Sequence, residues 1–197
     1  MGGDYGDWRH RHNRRGAKIV ALVRDRDSLV AALRKHGVDW LAPSDAANCE
    51  VAPEILVASL AAHDDPRLRS ALTGLFILHP EFSAVVNNAV NALDAAARDE
   101  LTARYMAAAY LQRLWRTRLG LYLGDYNELP DLFSVSLSLP TANEGYGKIG
   151  LHVLAEWHKK RSSDESYNRL AEYNREMEHV FASLKIRAVT HEPAVPG

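Results

Sequence analysis

The chain has 197 residues, of which 47% are apolar and 25% charged, with a formal net charge of −1. That length fits one domain able to bury a core unaided, and near-neutrality excludes a global field drawing it to nucleic acid or membrane. The single cysteine, Cys49, excludes an internal disulfide and cannot build a structural zinc site alone.

The first residues, MGGDYGDWRHRHNRRG, carry Arg9, Arg11, Arg14 and Arg15 without periodic apolar positions. Such a segment cannot repay its ordering entropy, so residues 1–16 read as a basic arm that is either solvated or in contact with phosphate. No apolar stretch of signal type follows, and no run approaches the ~18 residues needed to cross a bilayer. The pattern predicts a cytoplasmic protein without membrane contact.

From residue 17 to 187 the chain reads as one helical domain, followed by a tail over 188–197. Asp27 or Ser28 can cap a first helix that ends at Gly37. Residues 38–51 lack a steady period and read as a loop, with a short strand near Asp39–Ala42. Pro53 opens a helix through Ala62, and Asp65-Pro66 opens another through Leu78. Pro80 then starts a helix carrying Phe82, Val86 and Val90. Asp94 to Gly124 is the longest helical pattern, with Leu101, Tyr105, Ala108, Leu111, Leu114, Trp115 and Leu119 on one stripe. Alternation of Val135, Leu137 and Leu139 with serines predicts an extended piece lying over the bundle. Two further helices cover Ile149–Trp157 and the stretch from Tyr167 to Leu184. The fold class predicted is all-α, a single bundle of six or seven helices around one long central helix.

Few motifs carry chemistry. Glu176 and His179 sit three apart on one helix, the spacing of a di-metal carboxylate half-site, but no second copy exists. No metal or cofactor site is therefore predicted. Gly145-x-Gly147-x-x-Gly150 resembles a dinucleotide-binding loop, yet no strand precedes it. No nucleophile elbow is present, and no catalytic residue is assigned. Arg175 and His179, four apart, share a helix face and can stabilise a scissile phosphate, although Glu176 and Glu178 beside them oppose one. Arg113, Arg116 and Arg118, with Lys159, Lys160 and Arg161, form a basic patch if their helix ends adjoin; otherwise they complement helix C-termini.

The segments YLQRLWRTRLGLYLG, LPDLFS, LSLP, LHVLAEWH and YNRLAEYN resemble a prokaryotic helical family whose genes neighbour minimal nucleotidyltransferases. The resemblance spans residues 66–184. It implies a non-catalytic companion, antitoxin-like or regulatory, whose partner is another protein such as the nucleotidyltransferase. Arg113, Arg116, Arg118, Tyr122, Leu132 and Phe133 are the candidate partner-binding residues, at the exit of the central helix and the loop after it. The alternatives are a nucleic-acid-binding module using Arg9, Arg11, Arg14 and Arg15 with the central arginines, and a helical RNase built on Arg175 and His179.

Overall fold

Caps and prolines set most helix starts. In the computed structural model of the chain, which describes residues 21–42, 50–162 and 166–190, Asp25 opens α1 (Arg26–Lys35). Its Oδ2 accepts from the Ser28 N–H at 2.8 Å. Pro53 and Pro66 lie in the first turns of α2 (Pro53–Ala61) and α3 (Pro66–Leu78), where a missing N–H costs nothing. A 3₁₀ turn at Pro80–Phe82 leads into α4 (Ser83–Ala92). Asp94 caps α5 (Ala95–Leu114) through the Ala97 N–H at 2.9 Å. Then come α6 (Arg116–Leu123), α7 (Ser134–Leu137), a second 3₁₀ turn at Glu144–Gly147, α8 (Lys148–Arg161) and α9 (Arg169–Thr190).

The chain is all-α, and no strand occurs among the described residues. Nine helices are described, more than the six or seven expected, and the difference has local causes. The central pattern divides at Trp115, whose φ of −109° and ψ of 19° end α5 before α6 resumes. The segment expected to be extended at Val135 instead forms α7. A lone strand has no partner there, whereas Asp131 gathers the local backbone: its two oxygens accept from the N–H groups of Ser134 at 3.1 Å and Ala142 at 2.8 Å. The strand expected near Trp40 is absent for the same lack of a partner. α9 runs through Thr190, so residues 188–190, assigned to a tail, are helical. Residues 1–16 lie outside the described residues.

α5 is the centre of the bundle, packed on α2, α3, α4 and α8, while α9 lies across α3 and α8. Every residue from Leu101 to Gln112 is buried, so α5 is enclosed on all faces. Ala103 and the run Ala107–Ala109 keep its surface low enough for close neighbours. Gln112, fully buried, joins the end of α3 to the loop after α6 by donating to Ile77 O at 3.1 Å and accepting from Leu129 N at 2.7 Å.

The three glycines that resemble a nucleotide loop have a packing role. A Cβ on Gly147 would stand 2.3 Å from the Tyr110 carbonyl oxygen, and one on Gly150 would stand 2.1 Å from the Tyr110 ring. Gly147 also has φ +79°, which an L side chain resists. Gly147→Ala is therefore expected to cost roughly 2–4 kcal/mol in urea unfolding. Gly120→Ala, where an added Cβ meets nothing within 4 Å, should instead stabilise α6 by about 0.5–1 kcal/mol.

Candidate functional site

The enclosed helix α5 carries a charge: Arg104 is 0% exposed. A guanidinium leaves water only where carboxylates and hydrogen bonds replace its hydration. Glu100, one turn earlier, places Oε1 2.7 Å from Arg104 Nε, and Glu172 of α9 places Oε1 2.8 Å from Nη2. Arg169 Nη1 donates to the other Glu172 oxygen at 3.0 Å, and the Ser70 hydroxyl of α3 donates to Glu172 Oε1. Glu100 Oε2 lies 3.0 Å from His158 Nε2 of α8, and His158 Nδ1 lies 2.7 Å from the Tyr173 hydroxyl. An ionised carboxylate only accepts, so Nε2 carries the imidazole proton and Tyr173 donates to Nδ1. One polar network thus ties α3, α5, α8 and α9 together.

Its protonation states follow from competition between burial and pairing. Burial opposes the Glu100 carboxylate, yet Arg104 and His158 hold its pKa well below the ordinary range. Burial likewise opposes the Glu172 carboxylate, and Arg104, Ser70 and Arg169 outweigh it. Burial lowers the His158 pKa more than Glu100 raises it, which keeps the ring neutral. Since Glu172 is held as a weak base by three donors, it does not activate Ser70 as a nucleophile.

One turn further along α9 the balance reverses. Glu176 is only 6% exposed, and burial raises its pKa to about 7 against the pull of Arg104 and with the push of Glu172. Trp40 Nε1 lies close enough to favour the carboxylate without completing a hydrogen bond. His179 Nδ1 is 3.8 Å from Glu176 Oε1, beyond hydrogen-bond reach. Burial and then Arg175 depress the His179 pKa against Glu178. Trp40 Nε1, Glu176 Oε2 and His179 Nδ1 are buried atoms whose mutual contacts fall short of full hydrogen-bond geometry. Native proteins leave few such atoms, and these three belong to residues lining one cleft of about 390 Å³. Arg67, Ser70, Tyr167, Glu172 and Arg175 line it too. Arg67 and Arg175 are exposed and make no ion pair among the described residues. A second cleft of about 450 Å³, lined by Arg69, Glu100 and Arg169, adjoins the opposite end of the network.

The residues marked from sequence are placed in different parts of the fold. Arg113 and Arg116 both face Glu128, at 3.7 Å and 3.2 Å. Arg118 lies over the Phe181 ring at 3.8 Å, with Tyr122 against the same ring at 6.3 Å. Phe133 is buried edge-on to Tyr105, and Leu132 packs against the core. Arg9, Arg11, Arg14 and Arg15 lie outside the described residues. Arg175 and His179 share the cleft with Glu176, which the structure buries. Among the described residues no group of three His, Cys, Asp or Glu side chains is arranged to hold a metal ion, and no helix is long and apolar enough to cross a membrane.

Arg104, Glu100, Glu172 and His158 carried no motif. The legible signal was an arginine within a helix segment that is otherwise nearly all apolar, together with Glu172 and Glu176 four apart on α9. Arg104→Met removes the cation and leaves two buried carboxylates facing each other. It is expected to cost about 3–5 kcal/mol by chemical denaturation, with the loss easing at acid pH as the freed carboxylates take up protons. No family model matches the chain, and no curated protein or solved structure shows significant similarity to it.

Proposed function

We propose that the protein binds a small anionic ligand in the cleft between Trp40, α3 and α9, with Glu176 and His179 as proton-exchanging groups beside it. The observation that carries this reading is that two arginines without an ion pair among the described residues, Arg67 and Arg175, line one cleft together with His179 and the buried Glu176. A carboxyl near neutral pKa beside an imidazole of lowered pKa is an arrangement that accepts and donates protons near pH 7. The cleft volume lies within the range of small-molecule sites. This reading takes in the residues of the RNase alternative, Arg175 and His179, without requiring a polymer substrate.

A second reading, the interaction protein implied by the sequence resemblance, is supported by a different observation. Val135 is 90% exposed, Tyr146 80% and Leu121 79%, and Tyr146 is held at φ +53°, a conformation rare for an aromatic residue. Such a residue displayed to solvent suits contact with another protein, and a nucleotidyltransferase is the candidate. The nucleic-acid reading has less behind it, since Glu128 faces two of its three central arginines.

Inorganic phosphate or pyrophosphate should bind measurably by calorimetry, and Arg67→Ala with Arg175→Ala should weaken that binding at least about tenfold; no binding by the parent protein sinks the first reading. The raised Glu176 pKa also predicts a stability profile. The unfolded carboxyl ionises near its model value of 4.5 and the folded one near 7, so its contribution is present in full below 4.5 and is lost as pH rises to 7. Glu176→Gln should remove that loss and exceed the parent in stability at pH 8 by up to about 3 kcal/mol. Equal stability of the two proteins at pH 8 would show the carboxyl to be unperturbed. For the second reading, co-expression with the neighbouring nucleotidyltransferase should give a complex on size exclusion that Tyr146→Ser and Val135→Ser weaken; two separate peaks for the unmutated pair would exclude it.

A further inference from the structure

Two successive carbonyls at the end of α1 accept from other elements, as helix C-termini require. The Gly37 carbonyl accepts from Arg187 and from the Ser183 hydroxyl of α9. The His36 carbonyl oxygen lies 2.8 Å from Nε2 of His79, the residue that closes α3. His79 Nδ1 lies 2.8 Å from Glu81 Oε1.

Both partners of the His79 ring are acceptors. A carbonyl oxygen has no proton to give. Glu81 has none either: burial opposes its carboxylate, and its own backbone N–H and His79 outweigh that and lower its pKa. His79 therefore satisfies both contacts only as an imidazolium, with a proton on each nitrogen. The place suits a cation, since the C-terminal end of α1 carries partial negative charge. His36, edge-on to His79 at 5.1 Å and to Phe82 at 5.0 Å, does not compete for the charge. Burial, then His79, lower its pKa against the pull of Glu81, and Lys35 adds to the lowering. The other charges around the pair are Arg34 in the last turn of α1, Arg187 at the next carbonyl, and Asp125 and Glu128, which line a cleft with Glu81. The arginines of α3 lie at its opposite end, and α4 has no charged residue.

When the ring loses one proton, the other stays with the carboxylate, because a charge-assisted bond is about twice as strong as a neutral one. The Nε2 lone pair then faces the His36 carbonyl oxygen, and the bond between α1 and the end of α3 is lost. The segment that starts there passes through the buried Val38 and carries Trp40 into the wall of the cleft.

We propose that His79 is a proton-dependent latch between the end of α1 and the end of α3, closed when its ring carries two protons, and that it sets how firmly the Trp40 wall of the cleft is held. The latch acts whatever the cleft binds, so it stands or falls separately from the anion-binding reading.

The test is hydrogen exchange by NMR on the full chain at about pH 5.5 and pH 8, either side of the ordinary histidine range, with rates corrected for the intrinsic effect of pH. The Gly37 and Val38 amides, bonded to Arg34 O at 2.9 Å and Leu33 O at 3.0 Å, report on the end of α1. The buried Trp40 indole N–H, assigned by its loss in Trp40→Phe, reports on the wall. Protection of all three should fall about tenfold or more from the lower pH to the higher, the equilibrium effect of one charge-assisted hydrogen bond. His79→Gln should abolish that pH dependence. Glu81→Gln, on a side chain 68% exposed, removes the carboxylate that favours the imidazolium and should move the midpoint to lower pH; it serves alone where His79→Gln does not fold. Protection that is the same at both pH values in the parent overturns the latch. A change that survives His79→Gln, or a midpoint that Glu81→Gln leaves in place, assigns the titration to His36, or at the indole to Glu176 or His179, and overturns it equally. A fall at Gly37 and Val38 with none at the indole overturns its hold on the cleft wall.

Discussion

The arrangement of this bundle depends on the burial of one guanidinium. Arg104 is enclosed by helices on every side and held at its Nε edge by Glu100 and at Nη2 by Glu172. Neither carboxylate is stable there without the arginine, and the arginine is not stable without both. The pairing fixes which face of α9 meets α5, since only one rotation of α9 brings Glu172 to Nη2. It also fixes α8, because Glu100 requires a donor from His158 to complete its second oxygen. Apolar packing of Leu, Ala and Val tolerates several registers; a buried ion with directed hydrogen bonds tolerates far fewer.

The cleft chemistry is a consequence of the same geometry. Glu172 satisfies the guanidinium, and Glu176, four residues further along α9, is enclosed by the same packing without a cation of its own. Proximity to Glu172 adds repulsion to desolvation, so the carboxyl retains its proton to about pH 7. Two glutamates one turn apart, alike in sequence, thereby hold different protonation states. Arg69 and Arg169 extend the polar seam toward a second cleft, so the network has an opening at each end.

Much of the helical layout was legible from local signals. Pro53, Pro66 and Asp94 mark starts that depend on the missing N–H or the capping oxygen, and these act within a single turn. The stripe from Leu101 to Leu111 announced a core helix. The division at Trp115 and the short helix α7 were less legible, because both depend on distant partners: Trp115 stands edge-on to Phe181, 5.7 Å away on α9, and α7 is shaped by Asp131 reaching Ala142. The glycine spacing at 145, 147 and 150 was legible as a pattern and misleading as chemistry, since Gly147 and Gly150 make room for Tyr110 and Gly145 for Ile149. For the candidate site, Arg175, Glu176 and His179 were visible as a helix-face group. Their burial state was not, and a surface trio and a buried cleft wall are identical in sequence.

The amino-acid sequence by itself determined the all-α class, most helix starts, a central core helix and the lack of a membrane-crossing helix among the described residues. Each of these follows from periodicity, capping and residue volume, which operate over a few neighbouring positions. Only the tertiary structure decided that Arg104 is an interior charge, that Glu172 is its partner, and that Glu176 is buried beside Trp40. Those outcomes join residues 68 positions apart and more. Whether a carboxyl is solvated, paired or stranded depends on which side chains the packed helices bring to it, and no local pattern in the chain encodes that.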